Sequence, residues 1–238
     1  MGPRVSTMTP RDALPEGESK RVAVEGMFDR LAPRYDRMNR VISLGLDRRW
    51  RRRTVASLAV PPGSLVLDLA CGTGDLCVDL AAVGVDAVGV DFSAGMLAAA
   101  HTAAPLARAD GAVLPFPDAC FDGVVCGFAL RNFVALSVVF HECARVLKEG
   151  GRFAAVDATV PTNPVMRAGN AVWFRGAVPV LGRLLAHDED AYRYLPKSTA
   201  YLPAHDALER QLAHADFYDT RVDTFTGGSV LLLTGTRA

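Results

Sequence analysis

From residue 24 onward, apolar positions recur at the spacing of a helix. Val24, Met27, Phe28 and Leu31 stand at i, i+3, i+4 and i+7, the stripe of an amphipathic helix. Pro33 suits the first turn of a second helix, where its missing N–H costs nothing. Tyr35, Met38, Asn39 and Ile42 share one face of that helix, and Gly45 ends it. Asp47 is placed to cap a third helix. There Leu46, Trp50, Thr54 and Leu58 recur every four residues, and Arg48, Arg49, Arg51, Arg52 and Arg53 spread over the remaining surface. Pro61, Pro62 and Gly63 break the pattern, and the period changes.

After that break, strands and helices alternate. Residues 64–70 (SLVLDLA) read as a buried strand, 75–84 as a helix stopped by glycine, 86–91 as a second strand and 93–104 as a second helix. A short strand over 106–110 and a fourth over 121–128 follow. Leu136, Val139, Phe140, Cys143 and Leu147 mark a helix ended by Gly150 and Gly151, and 152–159 reads as a fifth strand. Such alternation implies right-handed crossovers and a largely parallel sheet covered on both faces, a doubly wound α/β domain. Residues 160–203 interrupt the rhythm with an apolar, proline-punctuated insertion, and 205–217 resume as a helix. Two late strands, near 220–225 and 229–235, meet through Gly227 and Gly228, which favours a tight antiparallel hairpin. The expected organisation is a flexible tail over 1–20, a helical segment over 21–60 and the α/β domain over 61–238.

Composition narrows the function classes. The chain has 238 residues, half of them hydrophobic, enough for a full core without disulfides. Lys plus Arg and Asp plus Glu balance at 26 each, which speaks against a dedicated nucleic-acid binder despite the arginines of 37–53. Those arginines read first as the solvated face of a helix pair. Cys71, Cys77, Cys120, Cys126 and Cys143 form no CxxC pair, so reduced thiols in a cytoplasmic protein are expected, with neither a disulfide frame nor a metal site. No apolar run is long enough for a transmembrane helix.

The stretch LDLACGTGD, residues 67–75, carries most of the chemistry. It is a strand, a glycine-bearing turn and a helix start. Gly72 and Gly74 let backbone approach a ligand with no Cβ in the way, and open α/β sheets bind ligands beyond the carboxyl ends of their strands. Asp91 closes the second strand 23 residues after Asp68, where an acid can accept hydrogen bonds from both ribose hydroxyls. A dinucleotide enzyme is the first competitor. Its third glycine is absent, because Cys77 stands there, and Asp75 sits where a pyrophosphate would seek the positive end of a helix. An acid at that place better suits a cationic ligand. Asp110, after the third strand, completes the constellation.

These residues, with the segments GVDFS, LPFPDACFDGVV and RVLKEGGRF, resemble the S-adenosylmethionine (SAM)-dependent methyltransferases of Rossmann-like fold. Four stretches resemble more narrowly the quinone C-methyltransferases of menaquinone and ubiquinone synthesis: YDRMNRVISLGLDRRWRR, GFALRNF, RVLKEGGRFAAVDAT, and YRYLPKS with the following YLP. The chain departs from that pattern at Asp47, where many members carry His, and at Glu149, Asp157, Thr159, Gly127, Ala129 and Leu233. The cofactor half is thus matched more closely than the acceptor half.

The resemblance implies roles. Asp91 would bind the SAM ribose, with Phe92 beside it. Asp68 would hold the glycine turn or meet the methionine part of SAM, with Gly72, Thr73 and Gly74 forming the turn. Asp110 and Gly111 match the adenine-contacting position, and Gly127 lies at the methyl-transfer site. Arg131 and Asn132 would serve a phenolate and a quinol oxygen of the acceptor. The helices of 21–60 would form a lid, with Tyr35 facing cofactor or substrate and Trp50 as anchor. The insertion 160–203 reads equally as a packing subdomain or as a wall of the acceptor pocket. His141 and Glu142 sit within a helix and read as structural. The implied reaction is C-methylation of a prenylated quinol, most specifically demethylmenaquinol, by a cytoplasmic protein without nucleic-acid partners. A peripheral contact with the inner face of the membrane and a homo-oligomer stay open. So do a benzoquinol or small-metabolite acceptor and a SAM-binding scaffold without turnover.

Overall fold

In a computed structural model of the chain, residues 16–173, 176 and 197–238 are described. Three helices come first: α1 (Gly17–Leu31), α2 (Tyr35–Ile42) and α3 (Asp47–Leu58), with a 3-10 turn over Ala32–Arg34 between the first two. The α/β part runs β1 (Leu65–Leu69), α4 (Asp75–Ala81), β2 (Asp86–Asp91), α5 (Ala94–Ala98), β3 (Leu106–Arg108), β4 (Phe121–Gly127), α6 (Leu136–Val146), β5 (Leu147–Ala158) and α7 (Pro164–Val172). It ends with α8 (His205–His214), β6 (Phe217–Phe225) and β7 (Val230–Arg237).

The seven strands form one sheet in the order β3-β2-β1-β4-β5-β7-β6. Pairings among β1 to β5 are parallel, while β7 runs antiparallel to both β5 and β6, the hairpin expected from Gly227 and Gly228. Successive residues of a strand point to opposite faces. Leu67, Val124 and Phe153 accordingly pack with Phe140 of α6 and Leu208 and Leu212 of α8. Their neighbours Val66, Val125 and Ala154 pack with Leu58 of α3 and Leu76 and Leu80 of α4. Covering both faces makes the central strands largely apolar, with Asp68 of β1 and Asp122 of β4 as exceptions. The strand order reverses between β1 and β4, the position at which an open α/β sheet leaves a crevice.

Several boundaries move. Helix α1 begins at Gly17, inside the expected tail, and Lys20 is buried; residues 1–15 of that tail lie outside the described residues. Asp47 is the first residue of α3 and does not cap it; its carboxylate accepts from Ser43 Oγ at 2.7 Å and from Arg51 at 2.8 Å. Arg51 is buried among Asp47, Asp75 and Asp79, so the arginine face of α3 is not wholly solvated. Helix α5 stops at Ala98, where an alanine-rich run suggested a longer one. The departing chain instead seats Thr102 against Gly74 and gives the His101 N–H to Thr73 O at 3.0 Å. Gly150 and Gly151 lie inside β5, where the register with β4 shifts between Phe121 and Gly123. Of the insertion, 174, 175 and 177–196 lie outside the described residues, and with them most of YRYLPKS.

Candidate active site

At the carboxyl end of β1 the backbone turns sharply. Ala70 (φ 56°) and Gly72 (φ 55°) are left-handed, and Gly74 (φ 88°) leads into α4. Phe128, just past β4, is also left-handed at 59°. Non-glycine residues held in this region cost free energy and cluster at binding sites. A cavity of about 310 Å³ opens between these two strand ends. Its walls include Gly72, Asp91, Phe92, Asp110, Gly111, Gly127, Phe128 and Asn132, with Val24, Glu25 and Phe28 of α1 and Tyr35 of α2 on the outer side.

Asp91 anchors this cavity. Its Oδ2 accepts from Gly72 N and its Oδ1 from Ser93 N, both at 2.8 Å. Each oxygen keeps a lone pair for a ligand hydroxyl. Burial raises its carboxyl above the ordinary range, opposed by those two backbone N–H groups. Asp29 of α1, which sequence reasoning missed, accepts from Ser93 Oγ (2.5 Å) and Gly95 N (2.9 Å) and so ties α1 to the same turn. Asp110 accepts from Ala112 N at 2.9 Å and holds its own loop.

Asp68, Thr73 and Gly74 lie behind the turn and do not line the cavity. Thr73 Oγ1 donates to Asp36 Oδ1 at 2.6 Å, which hooks α2 onto the turn. A Cβ at Gly74 would stand 2.6 Å from Thr102 Cγ2, so glycine is needed there for packing. Asp68 is completely buried. Cys77 Sγ donates to its Oδ2 at 3.2 Å, while Oδ1 has no partner. Burial pushes this carboxyl up to about 7, with nearby Asp91 and Asp75 adding to the rise. Asp75 is engaged elsewhere: Arg51 Nη1 lies 2.7 Å from its Oδ2 and His101 Nε2 lies 3.3 Å from its Oδ1.

A second cavity, about 520 Å³, adjoins the first. Met27, Leu31, Met38, Ile42, Trp50, Val165, Met166 and Trp173 give it a largely apolar wall. The two cavities share Phe28, Tyr35 and Phe128. Trp50 sits 6.2 Å from the Phe128 ring and donates its Nε1–H to Thr226 Oγ1 at 3.1 Å, which ties α3 to the turn between β6 and β7. Burial raises the Tyr35 phenol, which therefore stays protonated.

Arg131 and Asn132 do not stand together. Arg131 lines the larger cavity and Asn132 the smaller one. The buried Arg131 guanidinium pairs through Nη1 with Asp157, donates from Nη1 to Phe128 O at 2.8 Å and from Nε to Ser198 Oγ at 3.1 Å. Asp157 Oδ2 also accepts Arg131 N at 3.0 Å. In the sequence Asp157 stands out only as a departure at the fifth strand; an acid that ends the apolar run Phe153–Val156 is the available signal. His141 and Glu142 are structural: His141 Nδ1 meets Ser137 O at 2.7 Å, and Glu142 accepts from Leu114 N and Arg145.

The sequence pattern of the ubiE/COQ5 methyltransferase family matches residues 16–237. The chain belongs to this family. Relatives named demethylmenaquinone methyltransferase are 38% identical over 231 residues in Roseiflexus castenholzii, covering 94% of this chain and 97% of that one. The one from Mycolicibacterium gilvum is 41% identical over 215 residues, covering 90% and 94%. In Staphylococcus aureus the identity is 35% over 224 residues, covering 90% and 93%. Among solved structures, a SAM-dependent methyltransferase from Thermotoga maritima superposes with a TM-score of 0.64 at 16% identity, covering 90% of this chain and 99% of that one. Phosphoethanolamine N-methyltransferase 2 of Haemonchus contortus, solved with S-adenosylhomocysteine, gives 0.61 at 15%, covering 79% and 52%. These two establish the Rossmann-like methyltransferase fold.

As a ubiE/COQ5 member, the chain is a methyltransferase that uses SAM. The site fits that cofactor. Asp91 offers acceptors for a ribose, and a Cβ at Gly72 would have nothing nearer than Tyr35 Cε1 at 4.0 Å, so the space beside the turn is open. The raised Asp91 carboxyl in the cavity wall suits a ligand carrying positive charge.

Proposed function

We propose that this chain methylates a ring carbon of a prenylated naphthoquinol, converting demethylmenaquinol to menaquinol. The reading is carried by the pair of cavities, one acid-floored and one apolar, that share Phe28, Tyr35 and Phe128. A quinol ring at that shared wall would lie beside the cofactor, and the apolar cavity matches a long isoprenoid tail. The relatives named demethylmenaquinone methyltransferase support the naphthoquinol over a benzoquinol.

In this reading SAM, held by Asp91 and the Gly72 turn, supplies an activated methyl group. The chain's task is alignment, charge stabilisation and exclusion of water. Arg131 uses Nε and Nη1 for Ser198, Phe128 O and Asp157, which leaves Nη2 to donate to a phenolate oxygen of the acceptor. Loss of that phenolic proton makes the adjacent ring carbon nucleophilic. Tyr35, a neutral phenol, positions the ring by donating a hydrogen bond, and Phe128 and Trp50 close the site from the hairpin side. Helices α1 to α3 act as its lid.

The same reading places the protein at the cytoplasmic face of the membrane that holds its acceptor. Among the described residues no helix is long and apolar enough to cross a membrane. Exposed Leu44, Leu46, Val165 and Val172 lie on elements that line the apolar cavity, and Arg40, Arg48 and Arg49 are exposed near the first two. Such a mixture suits an anionic lipid surface. The test is methyl transfer from labelled SAM, with demethylmenaquinol and a prenylated benzoquinol side by side in detergent under reducing conditions. Label on the naphthoquinol is expected. Label on the benzoquinol alone would move the acceptor assignment, and bound SAM without transfer to either would refute quinone chemistry.

A further inference from the structure

A lysine on an amphipathic surface helix normally keeps its ammonium in water. Lys20 of α1 does not, being only 5% exposed. Its Nζ donates to Arg131 O at 2.9 Å and to Phe133 O at 2.8 Å, and lies 3.9 Å from the centroid of the Tyr201 ring. No described carboxylate pairs with it; the salt bridges of α1 use its other residues. Burial depresses its ammonium to about 8, a cost that a methionine of similar length would avoid. A buried cation held at such a cost, beside the cavities, is a candidate for a functional contact.

The two carbonyls belong to the 3-10 turn Leu130–Asn132 and the residue after it. That turn is fastened on the sheet side by Asp157, which takes both the backbone N–H and the guanidinium of Arg131. Lys20 fastens it on the helix side. Without Lys20 both carbonyls would be left as buried acceptors with a partner removed. The turn divides the site, with Arg131 in the wall of the larger cavity and Asn132 and Phe133 in that of the smaller. One turn of helix further on, Val24 and Glu25 line the smaller cavity.

We propose that Lys20 is a positioning residue for methyl transfer: by clasping Arg131 O and Phe133 O from the lid helix, it sets Arg131 and Asn132 on either side of the transfer point and couples lid closure to their alignment. This rests on the quinol reading given above. Lys20→Met keeps length and removes the clasp. Its SAM affinity should stay within about threefold of the parent, while kcat should fall roughly 10- to 100-fold, the cost of a small misplacement. Amide hydrogen exchange over residues 129–134 should rise in the same variant, and Lys20→Arg should recover part of the lost turnover. Unchanged kcat, or unchanged exchange over 129–134, would overturn the proposal. If the parent protein transfers methyl to no quinol, the function reading fails, and the exchange measurement still decides whether Lys20 holds the turn. Should Lys20→Met not fold, Lys20→Gln takes the same two readouts.

Discussion

Asp68→Asn should raise stability at alkaline pH and weaken SAM binding, and the size of the effect follows from burial. Asp68 is completely buried with Oδ1 unpartnered, and its carboxyl is pushed from an ordinary 3.8 up to about 7. An acid raised in the folded chain keeps its proton where the unfolded chain has lost it. Its contribution is therefore fully present below the ordinary value and is lost as pH rises from about 4 to about 7, at roughly 1.4 kcal/mol per pH unit. Between about pH 5 and about pH 8 the parent should lose roughly 2–3 kcal/mol through this one group, and Asn, which does not titrate, should lose none. Whatever fixed cost the amide carries beside Cys77 cancels in that comparison. Urea unfolding of both proteins at the two pH values measures it. A gap between parent and variant that stays constant across the two would refute the assignment of a buried, proton-holding Asp68. A cationic cofactor should draw the proton off, so SAM should bind the parent more tightly as pH rises through about 7, a limb the variant should lack.

Four further outcomes follow from the geometry. Asp91→Ala removes the acceptor of Gly72 N and Ser93 N as well as the ribose contact, and calorimetry should show SAM binding weakened by more than about 1 kcal/mol. Asp157→Ala leaves the Arg131 guanidinium buried without its carboxylate and should cost roughly 3–5 kcal/mol in denaturant unfolding; Arg131→Ala should cut kcat while SAM affinity holds. Gly74→Ala forces a Cβ to 2.6 Å from Thr102 Cγ2 at a φ of 88°, and should cost roughly 2–4 kcal/mol, part of it recovered in the double variant with Thr102→Gly.

Local signals were legible and long-range ones were not. The bounds of β2, and Asp91 at its end, could be read because a short run of apolar residues and glycine is flanked by acids at both ends. The antiparallel hairpin could be read because Gly227 and Gly228 admit the positive φ (65° and 88°) that the turn adopts. Helix α5 was over-read because alanine favours helix wherever nothing opposes it, and what opposes it here is Thr102 packing on Gly74 across the fold. Lys20 and Arg131 are joined across more than a hundred residues, and no periodicity marks such a pair. The split between Arg131 and Asn132 was hidden for a related reason. Adjacent residues in a 3-10 turn point in different directions, and this turn happens to divide two cavities.

The preference for a cationic cofactor has a different origin from the one Asp75 suggested. Arg51 and His101 engage Asp75, so it opposes a pyrophosphate less than its position implies. The acids left uncompensated are Asp68 and Asp91, neither of which makes an ion pair with any described residue, and both of which burial raises. A dinucleotide would bring two negative charges beside Asp91, which lines the cavity, and close to Asp68 behind the turn. SAM brings net positive charge and lowers the cost of ionising both carboxyls. Methyl transfer then removes the sulfonium charge, and the demethylated product no longer offsets the buried acids. If SAM sits beside Asp91 as proposed, the chain should for this reason hold S-adenosylhomocysteine less tightly, with the difference growing as pH rises through about 7. Equal affinities for the two at about pH 8 would show that ribose and adenine contacts alone set binding, and that the acids serve only the fold.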